Sequence, residues 1–176
     1  MTLSAGFHSR QAGMVLLISL VFLLLLSLLG LSSMQGAVSQ QKMAGSAWHS
    51  NQSFQSAESG LRMGESIVQR AGDALPVCHS IITCAPPSES ASVMGAGTNP
   101  LSEVSWVAMK GGLYGVQSIG AGVGLAHLPP QTPAVLFRVT AVGFSGQSRS
   151  VLESVFARVD EGAGPRFQRI LWRQLQ

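Results

Sequence analysis

Residues 14–31 form an unbroken apolar run, and no charged side chain occurs between Arg10 and Lys42. At ~1.5 Å per residue, a helix over this run is about long enough to cross the roughly 30 Å hydrocarbon layer of a bilayer. The chain therefore reads as anchored by one membrane helix, with residues 14–31 as its transmembrane part and most of the sequence following it.

A secretory signal has a shorter apolar core, roughly 7–15 residues, closed by a small-x-small cleavage site. Here the run is longer, and its exit, Leu31-Ser32-Ser33-Met34-Gln35-Gly36-Ala37, offers no good pair of that kind. The processing signal lies ahead of the run. The segment Arg10-Gln11-Ala12-Gly13 is similar to the end of a prepilin leader, a basic segment that a membrane peptidase cuts after glycine. That resemblance implies a leader over residues 1–13, cleavage by a prepilin peptidase between Gly13 and Met14, and a mature chain starting at Met14. The alternative is an uncleaved single-pass anchor, with Arg10 held in the cytoplasm by the positive-inside bias.

No proline interrupts the chain from Ser32 to Pro76, so one helix can continue from Met14 to about Ala71, a length of about 85 Å. Residues 32–75 are read as its amphipathic part. Ala47, Ser50, Phe54, Ala57, Leu61, Gly64, Val68 and Ala71 recur at steps of three and four, which places them on one narrow stripe. Glu58 and Arg62 stand four apart in the favourable order for pairing. Gly60 and Gly64 each cost a helix about 1 kcal/mol relative to alanine. Packing must hold them helical, and the plain reading of Phe54, Ala57, Leu61, Gly64 and Val68 is a buried helix face.

Two stretches make a family resemblance specific. Gln41-Lys42-Met43-Ala44-Gly45 and Phe54-Gln55-Ser56-Ala57-Glu58-Ser59-Gly60-Leu61-Arg62 closely resemble the N-terminal region of PilX-type minor pilins of the type IV pilus. Ser56 and Gly60 stand where the family pattern favours alanine, small-for-small changes that keep the stripe narrow. The resemblance implies an α+β, pilin-like fold, with a long N-terminal helix packed on a small antiparallel sheet. It also implies partners: other minor pilins, a tip adhesin-like protein and the prepilin peptidase, with the inner membrane as host before assembly and the pilus afterwards. Most pilins carry a glutamate at the fifth mature position; here that position is Ile18. In lacking it the chain resembles the K-type pseudopilin of type II secretion, a tip subunit. Open alternatives are a K-like pseudopilin and a membrane-anchored periplasmic binding module.

Composition limits the rest. The formal net charge of +3 in 176 residues is too mild to argue for nucleic acid, and no basic block interleaved with aromatics is present to track a phosphate backbone. Cys78 and Cys84 enclose His79-Ser80-Ile81-Ile82-Thr83. Beyond the membrane, an oxidised pair is the expectation, worth roughly 2–2.5 kcal/mol in the chain-entropy model. Zinc would need four ligands, and His49 and His127 lack the spacing to join His79. Gly120-x-Gly122-x-Gly124 matches neither dinucleotide nor Walker patterns. No catalytic motif of the G-x-S-x-G or H-E-x-x-H kind occurs, so neither an enzyme nor a cofactor is expected.

Residues 76–176 read as one globular domain with a loop-rich middle. Its clearest strand signal is the alternation Val135, Phe137, Val139, Ala141, and residues 150–159 supply a second strand across a turn at 144–148, forming an antiparallel hairpin. Phe137-Arg138-Val139-Thr140-Ala141-Val142-Gly143 is again similar to a sheet segment of PilX-type pilins. The tail, residues 166–176, mixes three arginines with large apolar side chains and is read as a strand able to add to a sheet edge.

Overall fold

The computed structural model describes residues 12–125, 128–162 and 164–176. The leader up to residue 11, with Arg10, and His127 lie outside the described residues. The chain separates into two compact units, the first ending at Gly45 and the second being Ser46–Gln176. Helix α1 runs unbroken over Ala12–Ala71. A 3-10 turn over Gly72–Ala74 succeeds it, so the helix ends four residues before the boundary at 75.

In the first unit the helix is apolar over residues 14–31 and more polar beyond, and its side chains over residues 13–45 are all exposed. An 18-residue window within it is long and apolar enough to cross a membrane. Ser19, one of two serines within the run, satisfies its own hydroxyl by donating to the Leu16 carbonyl at 2.9 Å.

The second unit packs the rest of the helix on a six-stranded meander: β1 (Gly97–Thr98), β2 (Ser105–Met109), β3 (Gly112–Gly122), β4 (Ala134–Ser145), β5 (Ser148–Glu161) and β6 (Gly164–Gln174). Spatial order follows sequence order, and every pair is antiparallel. The expected hairpin is β4–β5, turned at Gly146, whose φ of +55° suits a residue without a Cβ. The tail is a strand, β6, at the sheet edge.

Strand alternation divides the sheet into two cores. Phe137, Val139 and Ala141 of β4, with Tyr114 and Leu152, face Ala57, Leu61 and Val68 of the helix. On the opposite face Val142, Val151, Leu113, Trp106 and Val104 form a second cluster. The glycine-rich stretch expected as loop is in fact an eleven-residue strand, mostly buried. Its glycines answer crowding. A Cβ at Gly112 would fall 2.1 Å from the Val142 carbonyl oxygen, and one at Gly115 2.4 Å from Val104 Cγ1.

Candidate assembly site

The helix meets β4 through a graded series of side chains. At Gly143 an added Cβ would lie 1.9 Å from the Ser53 carbonyl oxygen and 2.6 Å from the Ala57 nitrogen. Further along, Gly60 lies over Ala141, Gly64 over Val139 and Gly72 over Phe137. As the helix advances, the facing residue grows from Gly to Ala to Val to Phe, so the strand fits the helix like a wedge. Ala57, Leu61, Gly64 and Val68 are buried and Phe54 is half-buried, its ring edge-on to Trp172 of β6 at 6.3 Å. Ala47, Ser50 and Ala71, on the same expected stripe, are exposed. The buried face of the helix begins at Ser53, where Gly143 admits it; one turn earlier only His49 is partly covered. Glu58 and Arg62 form no ion pair with each other in the structure.

The buried carboxylates went unforeseen. Glu65, on the helix, accepts Arg169 Nη2 of β6 on both oxygens, at 2.6 and 2.8 Å, and Ser154 Oγ at 3.0 Å. On the other sheet face Glu153 is fully buried between Arg173 Nη2 at 3.0 Å and Arg138 Nε at 3.4 Å. Burial lowers the Arg138 pKa from its ordinary value, with Glu153 acting in the opposite direction. Two of the three arginines of β6, Arg169 and Arg173, thus tie the terminal strand to carboxylates on opposite faces of the sheet. The sequence signal was present, arginines and acids in a low-charge domain, but the partners lie 104 and 20 residues apart.

Cys78 and Cys84 form a disulfide with a Cα separation of 5.2 Å, within the range a disulfide requires. The loop between them holds α2 (Ile81–Cys84), capped by reciprocal Ser80 and Thr83 hydrogen bonds. Its carbonyl groups are gripped from the sheet: Gln117 Nε2 donates to Thr83 and Ala85, and Arg138 Nη1 donates to Cys84 at 2.7 Å. Despite these supports, Ile81 is 92% and Ile82 63% exposed.

One arrangement resembles a catalytic pair and fails as one. His49 Nδ1 lies 3.0 Å from Ser145 Oγ, but that hydroxyl donates its proton to Gln52 Oε1. The imidazole therefore faces an oxygen whose proton is already committed, and no carboxylate orients it. Among the described residues no group of three or more His, Cys, Asp or Glu side chains could hold a metal ion. Gly120 and Gly122 belong to β3, where added Cβ atoms would meet Val77 and Leu136.

Residues 12–62 match the family model described as PilX N-terminal. This N-terminal region is similar to that of PilX-type pilins. The match covers the helix through both the exposed apolar half and the first turns packed on the sheet, and the α+β architecture that follows is pilin-like. Comparison with curated proteins and with solved structures gives no match. The match thus makes the first part of the chain similar to PilX-type pilins, and the apolar N-terminal helix is long and apolar enough to cross a membrane.

Proposed function

We propose that this PilX-type chain is a minor pilin that takes part in starting the pilus, at or near its tip, in a complex with other minor pilins and a tip adhesin-like protein. In this reading a prepilin peptidase cuts after Gly13, and Met14 becomes the free amino terminus. Residues 14–31 hold the chain in the bacterial inner membrane before assembly.

The observation that carries the reading is Ile18, the fifth residue after Gly13, within a run without charge. A carboxylate buried in hydrocarbon is costly unless paired, and in most pilins it is the group that meets the amino terminus of a neighbouring subunit. A subunit without that carboxylate cannot make this contact itself. It can still offer its own amino terminus to another subunit's carboxylate, as a first subunit would.

Three measurements test this. Intact mass of the membrane-extracted chain is expected to show a protein starting at Met14; a chain still carrying residues before Gly13 breaks the prepilin reading. Deletion of the protein is expected to reduce piliation, with Ile18→Glu complementing no better than the wild type. Immunogold labelling in many copies along the shaft would reject the tip assignment.

A further inference from the structure

We propose that the Cys78–Cys84 disulfide governs the seating of the terminal strand, acting through Arg138 and Glu153, so that its reduction releases the end of β6. The inference rests on side-chain geometry and is independent of the pilus reading above.

A charge imbalance across β4, β5 and β6 is the starting point. Arg138 and Arg173 share one carboxylate, that of the fully buried Glu153, so the cluster carries one more positive charge than negative. Arg138 is 12% exposed and Arg173 46%. Water can serve the second guanidinium far better than the first. A charge held away from water needs further polar partners, and Arg138 Nη1 has two, the Cys84 carbonyl at 2.7 Å and Gln117 Oε1 at 3.4 Å.

The Cys84 carbonyl is in place because its loop is closed. Cys78 is fixed to β3 by its backbone nitrogen, which donates to the Ser118 carbonyl at 2.9 Å, and the disulfide ties Cys84 to Cys78. Cys84 ends α2, which has only four residues and is far too short to persist unaided. Its other supports are the Ser80–Thr83 capping box and Gln117 Nε2, which donates to the Thr83 and Ala85 carbonyls. With Arg138 satisfied from the loop, Glu153 Oε1 is left to Arg173, whose Nη2 and Nε lie at 3.0 and 3.1 Å.

A dithiol reductant passes two electrons and two protons to the disulfide, leaving two thiols, and itself closes to a cyclic disulfide. The loop carbonyls then lose their fixed position, and Arg138 turns to Glu153 in competition with Arg173. Arg173 is the one able to leave for solvent, and the strand's hold on Glu153 goes with it. Residues 164–169 keep a separate anchor, Arg169 to Glu65 on the other sheet face. Ile170 is the extra residue of a β-bulge, between Arg169 paired to Phe156 and Leu171 paired to Val155, and a bulge interrupts the ladder. The release is therefore confined to the residues after it.

Hydrogen exchange of the full chain in detergent, read by peptide mass, follows each half of β6. On reduction with a dithiol, the protected amides of residues 171–174 are expected to exchange about tenfold faster, within the roughly 5–150-fold of ordinary coupling between sites. Residues 164–169 and β4 should keep their rates. Cys78→Ser combined with Cys84→Ser should reproduce the pattern without reductant. Arg138→Met leaves Glu153 and Arg173 as a matched pair and is expected to abolish the response to reduction. Unchanged exchange at 171–174 overturns the proposal, as does equal acceleration of β4 and both halves of β6, which would be a loss of stability of the whole unit. Acceleration that survives in Arg138→Met overturns it too; if that variant fails to fold, the comparison between the halves of β6 decides alone.

Discussion

Residues 14–45 and 46–71 share one helical backbone and obey different rules. In the first stretch the glycines at 30, 36 and 45 have no atom within 4 Å of an added Cβ, whereas in the second Gly60 and Gly64 would bring theirs to 2.9 Å from Met109 Cε and 2.3 Å from Val139 Cγ1. The same residue type is thus unconstrained by the chain itself in one half and compulsory in the other. The first stretch carries the apolar run 14–31, and no other part of the described chain covers it. The second is small-faced because β4 demands it.

Four substitutions, each measured by denaturant unfolding of the full chain in detergent with the buried Trp106 as reporter, can break or sharpen that contrast. The largest effect is expected for Glu153→Ala, which leaves Arg138 and Arg173 facing each other without their shared carboxylate. A loss of about 3–5 kcal/mol follows from orphaning buried charge, and a loss below about 1 kcal/mol would mean that the network stabilises nothing. Next is Gly143→Ala, expected to cost about 3 kcal/mol because the new methyl meets backbone that cannot swing aside. Were it neutral, the close seat of the helix on β4 would be wrong.

Glu65→Ala should cost about 2 kcal/mol, less than Glu153→Ala, because its one arginine partner is 44% exposed and screened by water, whereas Glu153 also holds Arg138, which is only 12% exposed. An equal loss from both acids would show that the buried Arg138 adds nothing to the cost of removing Glu153. Smallest is Gly36→Ala, where nothing crowds the new methyl; the helix should gain at most about 1 kcal/mol, with unfolding of the second unit unmoved. A destabilisation there would contradict the division between the halves.

Periodicity disclosed the elements whose burial is one-sided. The helix through Ala71 and the β4–β5 hairpin follow from 3.6- and 2-residue patterns, because each turns a single face to a core. β3 was hidden by its glycines, which read as breaks in the chain and are present since Val104 and the Val142 carbonyl press on them. Glu65 was hidden by its type: an acid beside Gly64 suggests a solvent edge until Arg169 arrives from β6. Ala47 and Ser50 carry the spacing of the buried face without being buried, since a helical stripe has no means of marking where its sheet begins. The exposed pair Ile81 and Ile82 had no signal, because two isoleucines between cysteines read equally well as a small core.

The graded strand beneath the helix has a mechanical consequence. A load drawing α1 toward its own N-terminus by one turn would bring Val68 to the place of Gly64, where a Cβ comes 2.3 Å from Val139 Cγ1. The opposite shift puts Gly60 there and meets no such obstacle at Val139. Tension applied through the apolar half is therefore resisted at this point by the shape of β4, in the manner of a pawl against a tooth, and passes into the sheet as compression.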